Sequence, residues 1–162
     1  MNKARIAIIM GSLSDLKVVQ PAIDLLKDFK VGFEVKILSA HRTPKELAQY
    51  VEAAPKKGIK VFIAAAGGAA ALAGVVASHT ALPVIGIPVE TKSLKGLDSL
   101  LSTVQMPAGI PVATVAIGEG GVRNSALLAL RILALSDKGI LARLERYRKS
   151  QKSKILKIKV KI

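Results

Sequence analysis

The sequence has no cysteine, no tryptophan, two histidines and only 3% aromatic residues in 162 positions. Without cysteine there is no disulfide framework, no thiol nucleophile and no Cys-ligated zinc site. His41 and His79 are the only imidazoles and the 11 acidic residues are thinly spread, so no structural metal is expected. So few aromatics leave no base-stacking platform for single-stranded nucleic acid, and neither a zinc-finger nor a basic-zipper pattern is present. A stretch lacking charge does occur. Val61 to Val89 contains no Asp, Glu, Lys or Arg and is long enough to cross a bilayer. It is interrupted by Gly67, Gly68, Gly74, Pro83, Gly86 and Pro88 and is rich in Ala rather than Leu, Ile and Phe. It therefore reads as strand, tight turn, buried helix and strand, not as a membrane span.

What is abundant is apolar side chain, 51%, and positive charge, a formal +14. The length suits one domain with a substantial core. Ten of the 25 Lys and Arg lie in residues 138–162 beside the single acid Glu145, leaving 15 basic and 10 acidic residues before them. The excess is thus mostly a property of the C-terminal region, and nucleic acid is not the expected partner. Only five apolar residues separate Arg5 from Gly11, too few for a signal-peptide core. A cytoplasmic location is expected.

Short apolar, β-branched runs recur at Ala4–Met10, Phe33–Leu38, Val61–Ala66, Pro83–Val89 and Pro111–Ile117. Four are apolar nearly throughout, as strands covered on both faces are. Phe33–Leu38 carries Glu34 and Lys36 on one face and reads as an edge strand. Helical patterns fill the gaps. Asp15–Phe29 places Val18, Ala22, Leu25, Leu26 and Phe29 on one stripe. Thr43-Pro44-Lys45-Glu46 has the form of a capping box opening a helix to about Ala54. Gly68–Thr80, Val122–Leu135 and about Ser136–Lys149 complete the set. This alternation predicts a single three-layer, doubly wound, flavodoxin-like α/β domain over residues 1–150 with a mainly parallel sheet. Residues 151–162 form a basic tail ending in Lys/aliphatic alternation. Its pattern is strand-like, and it could pair with an edge, continue a helix on a partner, or stay disordered.

Right-handed crossovers put every strand-to-helix loop on one sheet edge, where ligands bind. Three of these loops carry candidate chemistry. Gly11-Ser12-Leu13-Ser14-Asp15 combines backbone N–H access, hydroxyls and a helix N-terminus, which suits a phosphate; alternatively Ser14 or Asp15 only caps the helix. It is neither a Walker loop nor a dinucleotide fingerprint. Ser39-Ala40-His41-Arg42 sets an acid/base candidate beside an anion clamp. Ala64-Ala65-Ala66-Gly67-Gly68-Ala69-Ala70-Ala71 allows close backbone approach to a flat or anionic ligand, or simply close helix packing against the sheet. His79 reads as structural and Asp98 as a helix cap. Gln105-Met106-Pro107 reads as pocket wall or subunit contact.

Met10-Gly11-Ser12-Leu13-Ser14-Asp15, Ser39-Ala40-His41-Arg42-Thr43-Pro44, Leu82–Val89 and the block from Gly96 through Gln105-Met106-Pro107 to Gly118 together closely resemble the carboxyaminoimidazole ribonucleotide mutase family. The resemblance covers about residues 4–150. It implies a cofactor-free step of de novo purine synthesis that moves a carboxylate from the exocyclic nitrogen of an aminoimidazole ribonucleotide to a ring carbon. It also implies a homo-octamer. By motif, Ser12 and Asp15 would hold phosphate and ribose hydroxyls with Gly11 and Ser14 beside them. Arg42 would bind phosphate next to Ser39 and Ala40, His41 would shuttle the proton, and Gly67 and Gly68 would offer backbone donors to the carboxylate. The chain departs from the family pattern where Ala71 and Ala73 stand in place of a histidine and a proline, and where Ala65 stands in place of a glycine. Alanine transfers no proton. The second reading is therefore a catalytically impaired oligomeric scaffold of the same fold, natural or engineered, whose tail contacts another subunit or partner.

Overall fold

The computed structural model describes residues 3–160. Met1, Asn2 and the final Lys161-Ile162 of the alternating tail lie outside them. The chain divides into two compact units, Met1–Ala129 and Leu130–Ile162.

The first unit is built on five parallel strands, β1 (Ile6–Met10), β2 (Phe33–Ile37), β3 (Val61–Ala66), β4 (Val84–Pro88) and β5 (Ala113–Thr114), in the order β2-β1-β3-β4-β5. The expected edge strand is at the edge: β2 pairs only with β1, and none of its residues is fully buried. Pro111–Ile117 forms far less strand than expected. Only Ala113 and Thr114 pair with β4, because Pro111 has no N–H to donate and the last bond to β4 is from the Val115 N–H to the Gly86 carbonyl at 3.0 Å.

Helices α1 (Leu16–Asp28), α2 (Pro44–Lys57), α3 (Leu72–Ser78) and α4 (Leu97–Val104) follow the first four strands, and α5 (Glu119–Ala134) follows β5. Alternate residues of the central strands point to opposite faces. On one face Ala7, Ile9, Phe62 and Ala64 join Leu47, Val51 and Ala54 of α2 and Leu72, Ala73 and Val76 of α3 in a common core. Ile6, Ile8, Ile63 and Ala65 point the other way and are equally buried. The β1-to-β2 crossover runs opposite in direction to those leading to β3 and β4, so right-handedness puts α1 on that second face. Buried side chains on both faces are why these strands read as continuous apolar runs.

The stripe of α1 is rotated slightly from expectation: Val19 and Ile23 are buried with Ala22, Leu25 and Leu26, while Val18 is only half-buried. α2 begins at Pro44 as its motif requires, yet Thr43 makes no side-chain cap bond. Its hydroxyl accepts from the Ser39 N–H at 2.8 Å and donates to the Ser39 carbonyl at 3.1 Å, closing the loop instead. α3 starts four residues later than Gly68 and ends at Ser78, because Gly68 and Ala70 adopt positive φ of 67° and 40° and cannot continue a right-handed helix. In the second unit, α6 runs from Lys138 to Leu156, capped by Asp137, whose carboxylate accepts from the Ile140 N–H at 3.0 Å. The helix thus reaches past Lys149 into the basic segment. Among the described residues no helix is long and apolar enough to cross a membrane.

Candidate functional site

All strand pairs are parallel, so the loops after β1, β2 and β3 emerge from the same edge on three adjacent strands. The order reverses at β1, between β2 and β3, which makes this the topological switch point where doubly wound sheets open a crevice. Residues named from sequence on three separate segments are thereby neighbours.

The first loop folds into a short 3-10 turn, Leu13–Asp15, before α1. Ser12 caps it by accepting from the Ser14 N–H at 3.3 Å, and the Ser14 hydroxyl donates to Ser12 Oγ at 2.9 Å. Neither Ser14 nor Asp15 caps α1 through a side-chain bond, so capping does not account for either. The Asp15 carboxyl lies 3.4 Å from the Ser14 hydroxyl. Burial raises its pKa above the ordinary 3.8, opposed by the Ser14 hydroxyl, the Ser12 backbone and the Arg42 cation. Arg42 joins this loop to the second one. Its guanidinium donates to the Gly11 carbonyl, and its Nε and backbone N–H donate to Ser39 Oγ at 3.4 and 3.2 Å. Five guanidinium donors outnumber these contacts, so capacity remains for an anion. His41 stands on the same short turn, exposed, with no hydrogen bond among the described residues. Ala40, between Ser39 and His41, is half-buried.

The third loop is held from below. The Gly68 N–H donates to Ser99 Oγ at 2.9 Å, Ser99 Oγ donates to the Val89 carbonyl at 2.7 Å, and the Ser102 hydroxyl donates to the Gly68 carbonyl at 3.4 Å. The Gly68 N–H, expected to face a ligand, is bonded to Ser99 here. Asp98 is likewise no cap. Its carboxylate accepts from the Thr91 hydroxyl at 2.9 and 3.0 Å, fixing Thr91 against Gly67, whereas Gly96 with φ 87° opens α4. Sequence reading missed Ser99 and Ser102. The available signal was a pair of serines three apart, on one face of the helix after β4. His79 pairs at 2.9 Å with Glu52 of α2, in keeping with a structural role. Met106 packs over Gly74 of α3. No group of three metal-ligating side chains occurs among the described residues.

Fold and edge define a doubly wound α/β domain with its polar loops gathered at the switch point. The chain belongs to the AIR carboxylase family, whose model matches residues 5–154. Relatives described as N5-carboxyaminoimidazole ribonucleotide mutase include those of Vibrio parahaemolyticus, 51% identical over 94% of each chain, and Pyrococcus horikoshii, 54% identical over 95% of this chain and 86% of that one. Another is from Bacillus subtilis, 50% identical over 93% of each. The crystal structure of Treponema denticola PurE matches with a TM-score of 0.86 at 31% identity, covering 94% of both chains. The family, the fold and the mutase activity expected from the motifs are borne out.

Proposed function

We propose that this chain is an N5-carboxyaminoimidazole ribonucleotide mutase of purine biosynthesis, working on its ribonucleotide without a cofactor, in the cytoplasm and as a homo-octamer. Residues 1–150 carry the activity and 151–162 are an accessory basic tail. The observation that carries the reading is the Arg42 bond to the Gly11 carbonyl, which ties the anion-adapted loop to the turn bearing His41.

In this reading Ser12, Ser14 and Asp15 hold the phosphate and ribose hydroxyls beside Gly11, and the free donors of Arg42 hold the phosphate. Asp15 acts as a carboxylate that accepts from hydroxyls, and its partial burial strengthens such bonds. The carboxylate leaves the exocyclic nitrogen as carbon dioxide and re-forms on the ring carbon. That carbon then bears a hydrogen which must depart as a proton for the ring to regain aromaticity. His41 takes it and gives a proton to the exocyclic nitrogen that lost the carboxylate, so that the imidazole ends the cycle as it began. Gly67 and its neighbours hold the carboxylate.

Ala71 makes activity itself the test. Turnover of the carboxyamino ribonucleotide, followed by absorbance, is measured for the unmodified chain and for Ala71→His. Activity in the unmodified chain is the expected result, with the substituted chain faster. Activity only in Ala71→His would mean that fold and site persist in a chain serving as an oligomeric scaffold. Activity in neither would overturn the mutase reading.

A further inference from the structure

We propose that Ser99, on α4 and outside the three strand-to-helix loops that carry the candidate chemistry, is a positioning residue that sets the Gly67–Ala69 backbone for the carboxylate of the ribonucleotide; this rests on the mutase reading above. Ser99 is fully buried, 0% exposed. A buried hydroxyl is retained where both its donor and acceptor capacities are met, and here they are met by different segments. It accepts from the Gly68 N–H at 2.9 Å and donates to the Val89 carbonyl at 2.7 Å, at the end of β4. One helical turn on, Ser102 donates to the Gly68 carbonyl. Both polar groups of the Gly68 peptide are thus held by one face of α4, in a residue whose φ of 67° leaves it otherwise free to swing.

Fixing the Gly68 peptide has a consequence on either side of it. The N–H groups of Gly67 and Ala69 make no hydrogen bond among the described residues, so they are the uncommitted donors of this loop. Thr91, held by Asp98, packs against Gly67 and limits movement on that side. Two fixed N–H donors beside the sheet edge suit an anionic carboxylate, and their value depends on not having to reorganise when it arrives. None of these hydrogen bonds involves the Ser12–Asp15 loop or Arg42, so the phosphate-binding and carboxylate-binding groups are different ones.

The test compares two ligands that differ by the carboxylate, aminoimidazole ribonucleotide and its ring-carboxylated product, by calorimetry on the full chain. The variants are Ser99→Ala, Ser99→Cys and, as a control, Ser125→Ala, which removes an equally buried hydroxyl bonded only within α5, at 2.7 Å to the Val122 carbonyl. Ser99→Ala is expected to weaken the carboxylated ligand about tenfold, the scale of one hydrogen bond to a charged group, while the uncarboxylated ligand changes less than about twofold. Ser99→Cys keeps the volume and a weaker S–H donor and recovers part of the loss; it also serves if Ser99→Ala does not fold. In turnover, kcat/KM falls by about the same factor as the affinity for the carboxylated ligand, with KM raised because the substrate also carries the carboxylate. Equal weakening of both ligands, or losses matched by Ser125→Ala, would overturn the role of Ser99 and leave the mutase reading standing. An unmodified chain that binds neither ligand would overturn both.

Discussion

His41 is exposed on the turn between β2 and α2 and bonds to nothing among the described residues, so its removal should change chemistry without changing the fold. His41→Asn is expected to lower turnover about 10²- to 10⁴-fold, the usual contribution of a positioned acid/base, with the thermal midpoint unmoved. Full turnover in that variant would refute the assignment. Asp15 behaves oppositely. Burial makes it hold its proton more firmly in the folded chain than in the unfolded one. Its contribution to stability is therefore complete below pH 3.8 and is lost as pH rises through the folded value; once ionised, it opposes folding. Asp15→Asn should raise the thermal midpoint at pH 7, and the gain should shrink as the pH is lowered toward 3.8, while ribonucleotide affinity drops. A midpoint lowered at pH 7 would contradict this. Retaining a carboxylate that weakens the fold is characteristic of a residue kept for a ligand.

At the scale of elements, helix-to-sheet distance is set by small residues. A Cβ on Gly86, in the middle of β4, would strike Thr103 of α4 and press on Val112 and Ala73. Gly86→Ala should therefore destabilise by about 1–3 kcal/mol, the range for overpacking a filled core, visible as a lower urea midpoint. Because α4 also carries Ser99, the same substitution should reduce turnover beyond what its stability loss explains. Leu47 of α2 is 0% exposed in the core beneath the β2–α2 turn, and Leu47→Ala should lose about 2–5 kcal/mol. Tyr50, also on α2, donates to Glu34 of the edge strand at 2.7 Å; burial first, then Glu34, pushes its pKa up. This contact explains how an edge strand tolerates a half-buried acid.

For the molecule as a whole, Leu94, Leu97, Leu101 and Val104 are each about half exposed along one side of α4 and the loop before it. Apolar side chains at that spacing are what a subunit interface would cover. Light scattering should give a mass eight times the 17.0 kDa of the chain, and a monomeric mass would refute the proposed octamer. The basic tail acts differently. Ile158 and Val160 lie beyond α6 and are 66% and 80% exposed. Removing residues 157–162 deletes Lys157, Lys159 and Lys161; it should leave turnover unchanged and shift elution from a cation exchanger to lower salt. A loss of turnover would place the tail in the working assembly.

Chain pattern by itself determined the parallel α/β architecture, the edge position of β2 and the membership of the three loops, because hydrophobic period, glycine placement and caps are local properties of a segment. It also carried the resemblance to the family. The short β5, the late start of α3, the use of Thr43 to close its own loop and the service of Ser99 and Asp98 to a loop some 30 residues away could not be read from pattern. Each depends on which backbone groups from distant segments meet, and a hydroxyl beside the ladder shows the same letter in the sequence whether it caps a helix, closes a turn or holds the peptide of another loop. Only the tertiary structure chooses among those partners, since each buried N–H and C=O must be satisfied by whatever the packed elements bring within about 3 Å.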